Sequence, residues 1–544
     1  MYALLLAALA LSEPGASHEH HDHGSELGRV SFETTCTPSA QQQFLRGLAL
    51  LHSFQYEQAE TAFNRAAAAD PACSIAHWGV AMSLYHPLWT PPSAAELERG
   101  RAAVAKAAAQ PARSARERDY VEAVSTFYRG SETLGHAPRA EAYRLAMAEL
   151  HKRYPDDREA GVFYALSEIA AGTLDDDPTF AREKQAAGIL NQVLAAEPDH
   201  PGVTHYLIHS FDYPPLAALA VPAAKRYAGI APASPHAQHM PSHIFTRLGM
   251  WKESITSNLK SAEAARDWVS QKGFDGASRE ELHALDYLAY AYLQTGQDKA
   301  AQGVLDRLSA IEKVDDPNFS VAYAATAIPA RLVLERRKWK EAAELQLPDT
   351  VRTLASLDTF RWGRAHIHFA RAVGAARSGD RATAEREIAE LATIERELKI
   401  PPGTYDWTTQ VAIQRGIASA WLAHLAGNNE EALRLMRSAA DLDDATEKHP
   451  VTPGAILPAR EQLGELLLEM GQPRQALTAF EASLARAPLR LTSLHGAART
   501  ANLAGDATKA TDYFSRLTQL TSDGDRARPE IEEARSALAA ASPR

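Results

Sequence analysis

The stretch SPHAQHMPSHIF (residues 234–245) sets His236, His239 and His243 at i, i+3 and i+7, a spacing that lines one face of a helix. Upstream, HYLIHSFDYP supplies a second HxxxH pair, His205 and His209, followed by Asp212. Downstream, ELHALDYLAY supplies His283, Asp286 and Tyr290. A histidine pair at i, i+4 presents two ring nitrogens from one helix face, and a helix packed about 8–10 Å away can add another pair. Three or four neutral imidazoles with an occasional carboxylate suit Zn, Cu, Ni or Fe, and zinc or copper is the ion expected here. Asp212 and Asp286 would then be direct ligands or acceptors that fix the imidazole tautomers. Six of the chain's 21 histidines fall between 205 and 283, which makes a local chemical role the first reading. The motif HExxH is absent, which argues against a metalloprotease with a glutamate base. G-x-S-x-G, the P-loop and the dinucleotide fingerprint are absent too, so no catalytic residue is assigned.

What must position these side chains is a repeat. The 544 residues are 45% hydrophobic and 23% charged, a globular composition too long for one ordinary core. The chain alternates helical patterns with short Gly, Asp or Pro turns, and it resembles itself at a period of roughly 34 residues, that of a helix–turn–helix unit. The clearest copy is AREQLGELLLEMGQPRQALTAFEASLARAP (459–488), with Gly464 at the helix crossing, Gly471 ending the first helix, and Ala476, Phe480 and Pro488 following. The next copy repeats the pattern at Ala498, Gly505, Ala510 and Phe514, and QFLRGLALLHSFQYEQAETAFNRAAAADP repeats it at Gly47, Ala59, Phe63 and Pro71. Further copies span 281–308, 366–391 and 416–439. Small residues at the crossings let helix pairs approach closely, and stacked pairs bury a core that one pair could not.

In these features the chain resembles the tetratricopeptide-repeat superfamily over nearly everything after about residue 38. Within it, LHSFQYEQA, DPACSIAHWGVAMSLYHPLW, HMPSHIFTRLGMW, ELHALDYLAYAYLQTG and HPVTPGAILPAR look like those of a group of exported bacterial tetratricopeptide-repeat proteins. The resemblance implies a fold and no reaction: an all-α solenoid, a right-handed superhelix of antiparallel helix pairs. It also implies that the second, fifth, ninth, twelfth and thirteenth positions of each unit line a concave groove where partners bind. His236, His239 and His243 then take the second, fifth and ninth positions. His205 and His209, 34 residues before His239 and His243, take equivalent ones. Asp212 falls at the twelfth, and His283, Asp286 and Tyr290 at the second, fifth and ninth.

The expectation is that His205, His209, His239 and His243 converge in the groove, with His236, His283, Asp212 and Asp286 around them. Pro241 interrupts the stripe, so its helix is kinked or begins late. His366 reaches the groove, whereas His368, two residues on, cannot share its face. His52 and His86 sit at the thirteenth position and, with Trp89, read as a layer closing the solenoid end. HPVTPGAILPAR (449–460) reads as a Pro-rich rigid turn at the groove's other end.

The division expected is a signal peptide at 1–17, a His-rich disordered leader at 18–37, N-terminal repeats at 38–200, central repeats with the His-rich groove at 201–310, and C-terminal repeats at 311–544. MYALLLAALALSEPGAS has an apolar run of signal-peptide size followed by small residues, but lacks a basic start. It points to a periplasmic or secreted protein. HEHHDHG (18–24) has the composition of a metal-scavenging tail. Export makes a disulfide between Cys36 and Cys73, the two cysteines, available. The net charge of −11 argues against a nucleic-acid partner, and no apolar run reaches the roughly 18 residues of a membrane span. The functional expectation is an exported solenoid that binds a peptide, protein or small ligand in its groove through a His-rich metal site. Two alternatives stand beside it: a peptide-binding scaffold without metal, and a metal-dependent enzyme using the His/Asp cluster.

Overall fold

A computed structural model describes residues 26–88, 91–110, 113–174, 177–400, 404–525 and 528–541. The segment 1–17, the tract 18–24 and Trp89 lie outside the described residues. The fold is an all-α solenoid of tetratricopeptide type. Strand structure among the described residues amounts to one parallel bridge, Ala277–Ser278 against Val314–Asp315.

The helices form where good helix formers follow a capping residue. The Asp506 side chain accepts from the Lys509 amide to start Ala507–Leu520, and Asn428 accepts from Glu431 to start Asn429–Ala445. Gly471, at φ +69°, ends the helix Ala459–Glu469 in the left-handed conformation that favours glycine. Pairs then stack by one recurring device. Phe480, on Pro473–Arg486, wedges between Gly464 and Gly496, where an added Cβ would come within 2.8 and 2.3 Å of its ring. At the other end of the molecule Phe63 fills the same place between Gly47 and Gly79. The glycine at the crossing is therefore needed for closeness.

The apolar interior falls into two large clusters, one built from residues 27 to 245 and the other from 277 to 534. The histidine-bearing segment straddles their boundary. The superhelix also folds back on itself. Trp251 Nε1 donates to the Leu489 carbonyl (2.9 Å), Arg247 pairs with Glu447 (2.8 Å), and Arg490 reaches Glu335 (2.7 Å) and Glu461 (3.0 Å). Contacts between residues some 150 to 240 positions apart thus close the groove that the repeat register alone would leave open.

Residues 26–37, expected as part of a disordered leader, instead pack on the first repeats. Phe32 is buried against Phe44 and Tyr120, with centroids 5.0 and 5.1 Å away. Thr35 donates from its amide (2.6 Å) and hydroxyl (2.8 Å) to Glu117. A disulfide joins Cys36 to Cys73 with Cα atoms 5.1 Å apart. The aromatic and threonine side chains of this arm supply what a polar leader lacks, apolar area to bury. Among the described residues no helix is long and apolar enough to cross a membrane.

Candidate metal centre

Three short helices carry most of the histidines: Pro201–Phe211, Pro235–His239 and Pro241–Arg247. Each begins with a proline, whose fixed φ and missing N–H suit the first helical position. Pro241 consequently splits the stripe. The His239-containing turn ends on Met240, whose amide reaches the His236 carbonyl (2.9 Å), and a new helix starts at once, with the His243 amide on the Met240 carbonyl (3.2 Å). The break does not set the grouping: His236 and His239 share the first short helix yet meet different partners, and His239 stays with His243 across the break.

The result is two tri-imidazole groups rather than one group of four. In the first, His205 Nε2 lies 2.9 Å from His209 Nε2 and 3.1 Å from His236 Nε2. In the second, His239 Nε2 lies 3.0 Å from His243 Nε2, and the His283 ring lies 4.1 Å, centroid to centroid, from that of His239. In each group one nitrogen per residue lies within 4.8 Å of the other two. His205, His209, His239 and His243 are buried, whereas His236 and His283 are half-buried, so each group has one member toward the accessible side.

The outer hydrogen bonds decide which nitrogens face inward. His205 Nδ1–H donates to the His52 carbonyl (2.7 Å). His239 Nδ1–H donates to Asn258 Oδ1 (2.7 Å), and the Asn258 amide is oriented by its own donation to the Ser254 carbonyl (2.8 Å). His243 Nδ1–H donates to Asp212 Oδ2 (3.0 Å). Burial pushes the Asp212 carboxyl up, but Lys448, Arg247 and His243 outweigh that and hold it well below the usual range, so it can only accept. With both Nδ1 atoms committed as donors, His239 and His243 present two Nε2 lone pairs to each other. Such an arrangement repels unless something positive lies between them.

A proton is the unfavoured candidate. Burial pushes His205, His209, His239 and His283 well below the ordinary imidazole value, brings His236 down to about 3, and lowers His243 against the pull of Asp212. Charge on His243 further disfavours charge on His209 and His236, so the two groups sense each other. A cation coordinated by neutral imidazoles is the alternative. Zinc–nitrogen bonds of about 2.0–2.1 Å in a tetrahedron set the nitrogens about 3.3 Å apart, so these pairs, at 2.9 to 3.1 Å, need to part by only a few tenths of an ångström. The residues fit the ion.

Asp212 takes the outer position, bridging His243 and Arg247. Asp286 does not join the imidazoles. Its carboxylate pairs with Arg331, which also donates to the Gly454 carbonyl (2.6 Å), and this corrects its expected place around the ion. Fully buried Arg331 demands a counter-charge, and Asp286 supplies it. Tyr290 accepts from Arg490 (2.8 Å) and His366 Nδ1 bonds the Thr326 hydroxyl (2.9 Å); both line a neighbouring cavity of about 120 Å³.

A third cluster escaped the sequence. His52 Nε2 and His200 Nε2 both bond Glu159, at 2.9 and 3.0 Å. His52 is not part of an end-closing layer with His86: it lies under the first tri-imidazole group and offers its carbonyl to His205. Glu159 had no spacing signal, since its partners are 107 and 41 residues away. Asn258 and Lys448 were likewise invisible, although His449 opened a stretch already singled out.

Neither a family model nor a curated protein matches this chain. Among solved structures, a human IFIT1 dimer with m7Gppp-AAAA is 11% identical at a TM-score of 0.37, covering 83% of this chain and 90% of that one. The yeast Tom70 structure is 12% identical at 0.32, with 92% and 96% covered. A tetratricopeptide repeat protein from Parabacteroides merdae is 11% identical at 0.30, with 56% and 97% covered.

Proposed function

We propose that this protein is an exported solenoid that binds transition-metal ions, zinc or copper, at two adjacent tri-histidine sites enclosed between its repeats. The observation that carries this reading is the pair of facing Nε2 lone pairs on His239 and His243, each fixed by a donor bond on the far side of its ring. Oriented outer partners of this kind, a carboxylate and an amide oxygen, are what metal-bound histidines use to hold tautomer and direction. Six neutral nitrogen donors suit borderline and softer ions over calcium or magnesium, which prefer oxygen.

Export is part of the proposal because a Cys36–Cys73 disulfide persists in an oxidising compartment. The closed groove favours a small ligand over an extended peptide. A metal-dependent enzyme remains the second reading, favoured by the cavity that adjoins the second histidine group.

The test is metal content after equilibrium dialysis, using protein lacking residues 1–24 so that the His-rich tract cannot contribute. Two ions per chain are expected, falling to one in His239→Ala/His243→Ala and to one in His205→Ala/His209→Ala. Protein that retains no zinc or copper at micromolar concentration sinks the proposal.

A further inference from the structure

Among the described residues, the cavity lined by Arg247 and Lys448 holds one cation that no ion pair matches. Three of its arginines are already engaged: Arg247 with Asp212 and Glu447, and Arg460 and Arg486 with Asp444. Asp443, also in the wall, accepts from the Ala459 amide (2.9 Å), and burial pushes its carboxyl up. Lys448 remains. Its Nζ donates to the Pro450 carbonyl (3.1 Å), and among the described residues no carboxylate oxygen lies within ion-pair reach of it. An ammonium has three donors and is strongly hydrated, so one backbone acceptor leaves it undersupplied. Burial brings it down to about 8 even though Asp212 favours its charge.

Two further features point to what would complete it. Gln414 Oε1, in the same wall on a side chain 8% exposed, is buried without a hydrogen-bond donor among the described residues. A buried acceptor left without a donor is destabilising. The apolar side of the cavity is aromatic, with Trp407 and His449 stacked (20° between planes) and Tyr323 and Tyr405 beside them. A volume of about 120 Å³ is of the order that accepts a benzene-sized ring. The cavity is also linked to the metal centre through Arg247, which lines it and pairs with Asp212, the acceptor of His243 Nδ1–H.

We infer that this cavity binds a small hydroxylated aromatic carboxylate, with its anion on Lys448 Nζ, its ring on the Trp407–His449 wall and its hydroxyl donating to Gln414 Oε1. As the ligand pocket of the metal centre it rests on the reading above, but the pocket itself needs no ion. A carboxylate supplies the missing counter-charge, a planar ring matches the stacked wall, and a hydroxyl supplies the missing donor. A neutral ligand leaves Lys448 as it stands, and a second cation would be repelled by it.

The experiment is calorimetric titration of 2-, 3- and 4-hydroxybenzoate, each against its amide, into metal-free protein and again after zinc loading. At least one acid is expected to bind the metal-free protein about tenfold more tightly than its amide, the size of one charge-assisted hydrogen bond. Lys448→Gln should lose about that factor, while Lys448→Arg, which keeps the charge, should recover most of it. If no acid binds, if acid and amide bind alike, or if Lys448→Gln changes nothing while remaining folded by circular dichroism, the inference is overturned. Acid binding without zinc uptake upholds the pocket and removes the metal reading; zinc uptake without acid binding does the reverse.

Discussion

Two buried histidine clusters, His52–Glu159–His200 and His239–His243, differ in kind. In the His52–Glu159–His200 cluster every ring nitrogen has a complementary partner. His52 Nε2–H and His200 Nε2–H donate to the two oxygens of Glu159, while His52 Nδ1 accepts from the Tyr206 hydroxyl (3.0 Å) and His200 Nδ1 from the Val203 amide (3.3 Å). Burial pushes the Glu159 carboxyl up, but His52 and His200 outweigh it and hold it well below its usual range. In the His239–His243 pair the donors are spent outward and the acceptors face one another. The first is a finished hydrogen-bond network, the second a set of lone pairs awaiting a cation. Close packing of imidazole and carboxylate atoms is common to both, so proximity does not distinguish structure from site. The direction of the protons does.

That contrast can be broken first with pH. Six imidazoles whose folded values lie below the unfolded value near 6.5 bind protons more readily when the chain is unfolded. Their neutral state thus supports folding fully above about pH 6.5, and that support is lost as pH falls toward the folded values. Each ring that stays neutral in the folded chain adds to the slope, so metal-free protein should lose stability steeply as pH falls below about 6. Denaturant midpoints measured from pH 7 to 5 check this, and a flat profile would contradict the burial of these rings. Bound metal should move the loss to lower pH, since protons and metal compete for the same lone pairs.

Next is the finished network. Glu159→Gln offers one acceptor oxygen to two imidazole donors and should cost about 1–3 kcal/mol at neutral pH with or without metal, because one buried N–H is left facing the amide nitrogen. The metal sites should behave oppositely. At free zinc about a thousand times its dissociation constant, stability should rise by about 4 kcal/mol per site, with one site's share disappearing in His239→Ala/His243→Ala and none of it in Glu159→Gln once the variant's lower baseline is subtracted.

A smaller effect sharpens the tautomer argument. Asp212→Asn can turn its amide N–H toward His243 Nδ1 and release the proton arrangement, so metal affinity at the second site should fall about 10–100-fold while the first site keeps its own. The smallest effect is expected in metal-free protein, where His243→Ala should change stability by about 1 kcal/mol or less, since lost packing is offset by relief of facing lone pairs. A cost as large as that of Glu159→Gln would show that the second cluster, too, is purely structural.

Much of the fold was readable from spacing. Gly47 with Phe63 and Gly464 with Phe480 recur at the offsets of a stacked helix pair, and a glycine crossing against a phenylalanine is a local requirement that any copy of the unit must meet. The sequence by itself also determined that His205 and His209 share a helix face, because four residues make about one turn, whereas His239 and His243 fall on successive short helices and meet through packing. Three-dimensional packing decided the rest. Pro241 marked a break, but only the packed helices show that His236 goes to His205, while His239, on the same short helix as His236, stays with His243 across the break and with His283. Asp286 sat in a groove position yet was claimed by Arg331, 45 residues on. Glu159 was claimed by two histidines on other repeats, and Arg247, Trp251 and Arg490 closed the groove through partners some 150 to 240 residues away. Spacing along one helix constrains which side chains point together, whereas counter-charges and closure depend on which repeats meet, and that is set by the accumulated stacking of the whole solenoid.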